Sequence, residues 1–322
     1  MVLSYRHVFH AGNRGDVFKH SVLMSLLRAA TRGTSKPLQL VETHSGAGLY
    51  ALRRGRSQEI NEWKTGVAKA WKAFASKPMN SDLGPMGELV HLVRNDFNQD
   101  LVLYPGSPLI SLKLLRSQDR ATFFELHTSD VPLLQWNCNA PGRHVMREPP
   151  KIKCDDGFAG LGEIIKDRRI RNETESDNIE EDVLMAFIDP PYEVKTEYDR
   201  VVDAVLDYMH IDPSITIALW YPLILGRESA QEMVNTLCSQ LAVPWVDVRE
   251  EVPNRGKDLQ RGLWGSGVLV INPMAKWIEN IANFEVGLKS DTQRAFGNHI
   301  LTVCRRGDLP SSASASRHVS SL

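Results

Sequence analysis

From Tyr104 to Cys304 short apolar runs alternate with segments of helical period, and that alternation leaves few architectures open to the chain. Helical spacing is read over 108–117, 129–136, 157–166, 196–209, 227–241 and 275–286. Strands are read over 121–126, 183–188, 215–220, 245–251, 264–271 and 298–304. Repeated alternation of this kind means an α/β fold, a mostly parallel sheet covered by helices. No long helix separates 251 from 264, which predicts an antiparallel hairpin at the sheet's edge.

The first hundred residues differ in character. Asp16 reads as the cap of a helix carrying Val17, Val22, Leu23, Leu26 and Leu27, and Leu38-Gln39-Leu40-Val41 reads as a strand after Pro37. Ile60, Trp63, Val67, Ala70, Trp71 and Phe74 then recur at helical spacing, as do Met86, Leu89, Val93 and Phe97. Residues 53–103 therefore read as a small helical subdomain inserted after the first strand, with both tryptophans in its core. Residues 167–182 read as a charged mobile loop, and 309–322, with six serines, as a disordered tail following a domain of 1–308.

Composition excludes several classes. The 42% hydrophobic content supplies a core, but no run of 18 uncharged apolar residues exists to span a membrane. The four cysteines are far apart and form no Cys-x-x-Cys pair, which argues against a zinc knuckle or disulfide framework and fits a reducing compartment. The net charge of −1 hides an asymmetry: residues 1–36 hold six Lys/Arg against one acid, and 53–77 hold seven against two. Such locally basic surfaces suit either a phosphate backbone or plain solvation. The basic N-terminus also imitates a mitochondrial presequence, but its cleavage would remove part of the candidate site, so the cytoplasm is the expected location.

The chemistry concentrates at strand ends, where open α/β sheets bind ligands. Val183–Ile188 ends at Asp189-Pro190-Pro191-Tyr192. Asp189 and the Pro190 carbonyl can both accept from an exocyclic amine, and the prolines stiffen the turn. Tyr192 offers a face for stacking a base, worth roughly 1–3 kcal/mol. The turn Glu42-Thr43-His44-Ser45-Gly46-Ala47-Gly48 follows the first strand and lets a ligand approach the backbone. It is neither a full G-x-G-x-x-G nor a Walker A loop, so a dinucleotide and an ATPase are disfavoured. Glu125, at the end of the next strand, suits ribose hydroxyls, and Asp156, before Gly157 and Phe158, suits an adenine amine or a helix cap. Lys19, one turn past Asp16, is placed to meet a carboxylate. His7-x-x-His10 with His20 matches no standard zinc spacing, and no metal is expected.

Together these stretches resemble the RlmJ-type 23S ribosomal RNA adenine-N6 methyltransferases over about residues 3–304. The resemblance is carried by Tyr5-Arg6-His7 through Asn13, Asp16-Val17-Phe18-Lys19-His20, the glycine turn and Tyr104-Pro105-Gly106-Ser107-Pro108. Glu125-Leu126-His127, Asp156-Gly157-Phe158, Asp189-Pro190-Pro191-Tyr192, Leu219-Trp220-Tyr221-Pro222 and Gly265-Ser266-Gly267 follow in the family's order. It implies a Rossmann-like class I methyltransferase fold and S-adenosylmethionine as cofactor. Lys19, His44, Gly46, Ser107, Glu125, Asp156, Gly157 and Asp189 would line the cofactor site. Asp189 would be the catalytic acceptor, with Pro190 and Tyr192 in its motif and Tyr5 and His7 near the target adenosine. The implied partner is large-subunit ribosomal RNA, naked or partly assembled, bound by a monomer. A DNA adenine-N6 methyltransferase and a non-catalytic nucleic-acid-binding protein linked to use of external DNA are the alternatives. Residues 137–153 and 167–182 look longer than is usual for the family, and Asn272-Pro273-Met274 replaces a more usual Asn-Pro-Pro.

Overall fold

The computed structural model describes residues 7–54, 61–79, 83–174, 182–252, 263–297 and 299–305. Tyr5, part of the 167–182 segment and the 309–322 tail lie outside them. The helices are α1 (Arg14–Gly33), α2 (Val67–Phe74), α3 (Pro85–Asp96), α4 (Ser107–Leu112), α5 (Val131–Asn139), α6 (Gly157–Thr174), α7 (Thr196–Ile211), α8 (Ser229–Gln240), α9 (Ala275–Glu279) and α10 (Ile281–Phe296). The strands are β1 (Leu38–Glu42), β2 (Leu49–Ala51), β3 (Leu103–Pro105), β4 (Arg120–Phe124), β5 (Lys151–Lys153), β6 (Val183–Ile188), β7 (Thr216–Ile224), β8 (Trp245–Glu251), β9 (Leu263–Ile271) and β10 (Ile300–Arg305).

Eight strands form one sheet in the order β10-β8-β9-β7-β6-β1-β4-β5. The five from β5 to β7 run parallel, whereas β9 is antiparallel to both β7 and β8, and β10 to β8. The β8–β9 hairpin is thus present, but β9 slots between β7 and β8, and β10 takes the edge. Side chains along β1 alternate between two layers. Leu40 packs with Phe18, Leu23 and Phe187 on the α1 side, and Val41 packs with Phe124, Leu161 and Ile188 on the α6–α7 side.

Register sets the site. Glu42 pairs with Phe123 of β4 and with Phe187 of β6, so three carboxyl ends finish level. Strand order reverses at β1, which is the switch point where such sheets open a crevice. Thr43 N donates to Phe187 O at 3.1 Å and Ser45 N to Phe124 O at 2.9 Å, which holds the turn after β1 between its neighbours.

β2 and β3 pair antiparallel, Leu49 opposite Pro105, and the helical stretch between them contains α2 and α3. Val67, Phe74 and Leu89 from that stretch share one apolar cluster with α1 and with Leu288 of α10. Asp291 of α10 also accepts from Met86 N and Gly87 N at 3.0 Å each, capping α3.

Three local expectations are corrected. Asn13, not Asp16, caps α1: its Oδ1 accepts from Asp16 N at 2.8 Å, leaving Asp16 to turn inward. Residues 167–174 continue α6 instead of forming a loop, because buried Arg168 pairs with Asp182 at 2.5 Å and Asp212 at 3.0 Å. The helix read over 275–286 breaks at Asn280 and then runs on to Phe296. No helix of the described residues is long and apolar enough to cross a membrane.

Candidate active site

A cleft of about 1140 Å³, counting its open mouth, lies over the carboxyl ends of β1, β4 and β6. Its floor is the glycine turn. Gly46 has φ +59°, a left-handed conformation, and a Cβ there would fall 2.2 Å from Tyr50 Oη. That hydroxyl is fixed, because it accepts from Ala47 N at 3.1 Å. Glu125 clamps the same turn: Oε2 accepts from Gly46 N and Oε1 from His127 N, both at 2.7 Å. Burial outweighs these two donors and holds the Glu125 carboxyl above its ordinary range.

Gly157 opens α6 directly against β1, and a Cβ there would lie 2.0 Å from Thr43 O. Asp156 caps this helix through Phe158 N at 3.0 Å and Ala159 N at 3.1 Å. Arg200 Nη2 lies 2.7 Å from both Asp156 oxygens, with its guanidinium 4.6 Å over the Phe158 ring. Burial pulls the Asp156 carboxyl upward, but Arg200 and the capping amides prevail and hold it low. His44 packs its edge on Phe158, and burial lowers its imidazole to about 4.

Ser107 reaches the cleft at the start of α4, and its Oγ donates to Glu42 Oε2 at 2.6 Å. Ser111 Oγ donates to Glu42 Oε1 at 2.8 Å. Glu42 is fully buried, and burial raises its carboxyl from 4.5 to about 7. The protonated form is therefore favoured in the fold. The contribution of Glu42 to stability is complete below the unfolded value and is lost as pH rises through about 7. Glu42→Gln should remove this loss, so that its urea stability relative to wild type improves by roughly 3 kcal/mol between pH 4 and pH 8. An unchanged difference between the two proteins across that range would contradict the assignment.

The wall opposite is an ionic chain. Asp189 Oδ2 lies 2.7 Å from Lys19 Nζ, and Lys19 Nζ lies 2.8 Å from Asp16 Oδ1. Asp16 Oδ2 accepts from Gly12 N at 2.8 Å and meets His7 Nε2 at 2.9 Å. Burial alone would raise Asp16 and lower Lys19. Instead His7 and Lys19 hold Asp16 well below its ordinary range, and Asp16 and Asp189 hold Lys19 above its own. The Lys19 ammonium also sits 4.8 Å from the Trp220 ring centre.

Lys19, His44, Gly46, Ser107, Glu125, Asp156, Gly157, Asp189, Pro190 and His7 all face this one cleft. Tyr192 does not offer the expected stacking face. Its φ of +53° turns the ring into the core, where the hydroxyl donates to Trp220 O at 2.8 Å beside Tyr198. Trp220 and Tyr50 line the cleft with aromatic rings instead. Arg200 is absent from the sequence-based expectations for the site, whereas Glu42 enters them only as the first residue of the glycine turn and Trp220 only within a family motif. Arg200 lies 44 residues from the carboxylate it pairs with, and only the fold joins them.

A mostly parallel sheet with its switch point at β1, a glycine turn there, and acids following the neighbouring strands define a Rossmann-like α/β protein with a cleft suited to a nucleoside cofactor. The comparisons narrow this class. The family described as "RsmJ: Ribosomal RNA large subunit methyltransferase D, RlmJ" matches residues 35–299, and the chain belongs to it. The Haemophilus influenzae protein named Ribosomal RNA large subunit methyltransferase J is 34% identical, covering 84% of this chain and 88% of its own length. Its Escherichia coli namesake is 33% identical over 88% and 91%. A Legionella pneumophila protein of known crystal structure superposes with a TM-score of 0.73 at 25% identity, covering 91% of this chain and 97% of that one.

Proposed function

We propose that the protein transfers a methyl group from S-adenosylmethionine to the N6 amine of an adenosine in 23S ribosomal RNA. It would act in the cytoplasm, as a monomer, on naked or partly assembled large-subunit RNA. The observation that carries this reading is the position of Asp189. It lines the cleft with one oxygen committed to Lys19, and Pro190, Glu125 and Asp156 line the same cleft.

The residues fit the cofactor. A Cβ at Gly46 would meet Tyr50 Oη and one at Gly157 would meet Thr43 O, so glycine at both lets the turn and the start of α6 pack closely where they line the cleft. Each Glu125 oxygen accepts one backbone N–H and keeps a lone pair for a ribose hydroxyl. Asp156 Oδ1 is occupied by two amides and Arg200, whereas Oδ2 meets Arg200 alone and can still accept an adenine amine. S-adenosylmethionine, when bound, supplies a methyl group on a sulfonium, already a good leaving group.

The protein's own part is positioning. A base presented out of its stack would place its amine between Asp189 and the Pro190 carbonyl, which accept its two hydrogens and direct the lone pair away from them. Lys19 fixes the carboxylate, and Trp220 gives the base a face to rest on. His7 lines the cleft, and by the family resemblance Tyr5 and His7 would stand near the target adenosine.

Labelled S-adenosylmethionine incubated with deproteinised ribosomal RNA and, separately, with DNA tests the choice of polymer. Label is expected in large-subunit RNA and not in DNA; label in DNA alone overturns the proposal.

A further inference from the structure

The segment between β2 and β3 meets the catalytic corner through one carboxylate. Glu62 opens a short 3₁₀ turn ending at Lys64, ahead of α2. It accepts from Asn13 Nδ2 at 3.1 Å and pairs with His10 Nδ1 at 3.0 Å. Both partners lie in the stretch that leads into α1. The amide of Asn13 is thus used at both ends, since its Oδ1 accepts from Asp16 N at 2.8 Å.

Backbone contact reinforces the joint. Val67 N donates to Gly12 O at 2.8 Å, and a Cβ on Gly66 would lie 2.2 Å from that oxygen. Gly12 N holds Asp16 Oδ2, Asp16 Oδ1 holds Lys19, and Lys19 holds Asp189. Direct contacts therefore run without a gap from Glu62 to Asp189.

Magnitudes separate orientation from stability. The side chains of His10 and Glu62 are 33% and 35% exposed, and an ion pair so open contributes little to folding. It is nevertheless a formed pair. The hydrogen bond to Glu62 raises the His10 imidazole, while burial pushes Glu62 up and the bond and charge of His10 together with the Asn13 bond outweigh it. What the pair does fix is the path of residues 10–13, on which the first turn of α1 depends.

We propose that Glu62 is a positioning residue for the transfer step: by holding His10 and Asn13 it sets the Asp16–Lys19–Asp189 chain against the inserted helices. This rests on Asp189 being the acceptor.

The test measures kcat, KM for ribosomal RNA, cofactor Kd and melting midpoint for Glu62→Ala, His10→Ala and the double variant, beside Asp189→Asn. Glu62→Ala is expected to lose about tenfold in kcat, His10→Ala less because Asn13 still holds Glu62, and the double variant no more than Glu62→Ala. Cofactor Kd and KM are expected to stay within about twofold of wild type. Glu62→Gln, which keeps an acceptor for His10 and Asn13, should restore most of the lost turnover. Wild-type kcat in Glu62→Ala, losses that multiply in the double variant, or a Gln variant no better than Ala each overturn the inference. If Glu62→Ala does not fold, His10→Ala, expected to lose turnover, and Glu62→Gln, expected to keep most of it, carry the test. An inactive Asp189→Asn beside a fully active Glu62→Ala refutes this link alone, whereas an active Asp189→Asn refutes the catalytic reading beneath it.

Discussion

Asp189→Ala is expected to lower methyl transfer by about 10³-fold or more while leaving S-adenosylmethionine affinity within about fivefold of wild type. The asymmetry follows from what Asp189 touches. Its partner is Lys19, at 2.7 Å, and the glycine turn, Glu125 and Asp156 are built without it. Removing the carboxylate leaves the buried Lys19 with Asp16 still 2.8 Å away, so the ammonium keeps a counter-charge and the corner keeps its shape. Turnover by single-turnover kinetics and affinity by calorimetry separate the two effects. Near-wild-type turnover would remove Asp189 from catalysis, and a loss of affinity matching the loss of turnover would make it a cofactor ligand only.

Gly157→Ala is expected to have the opposite profile, with cofactor binding lost first. The added methyl would sit 2.0 Å from Thr43 O, 2.6 Å from Thr43 C and 2.6 Å from Thr43 Cα, all backbone. Thr43 cannot retreat, since its N–H is bonded to Phe187 O in β6 at 3.1 Å. The start of α6 must therefore move away from β1, carrying Asp156 out of its place in the cleft and Phe158 out of its packing. A destabilisation of about 3 kcal/mol, in the range for overpacking, is expected in urea, with cofactor affinity lowered by about 100-fold or more. A variant that binds the cofactor as wild type does would show that α6 is not held against β1 as described.

The parts of the site that could be read from the sequence are those where chemistry follows a strand directly. Asp189 after Ile188, Glu125 after Phe124 and the turn after Glu42 needed only strand ends to be recognised, and register then brought them level. Lys19 was legible too: one helical turn past Asp16, it meets that acid and Asp189 together. The misreadings have local causes. Tyr192 adjoins the motif in sequence, but a positive φ sends its ring to the opposite side of the chain. Asp16 has the residue type of a cap, yet Asn13 three positions earlier takes that role and leaves Asp16 to the ionic chain. The charges of 167–174 suggested a loop because Asp182 and Asp212, which neutralise Arg168, are remote in sequence. β5 is three residues long with a lysine at each end, too short for any period to register. Arg200, and the serines that hold Glu42, were not legible for a related reason: the partners come from other elements, and only the packed fold supplies them.

The central claim is that Asp189 and Pro190 present the N6 amine of an adenosine. Its most direct test is nucleoside mass spectrometry of deproteinised 23S ribosomal RNA methylated in vitro by the wild-type protein and by Asp189→Asn. N6-methyladenosine is expected from the wild type and none above background from the variant. A methyl group on another atom of adenosine or on another base, or equal N6-methyladenosine from both proteins, would contradict it.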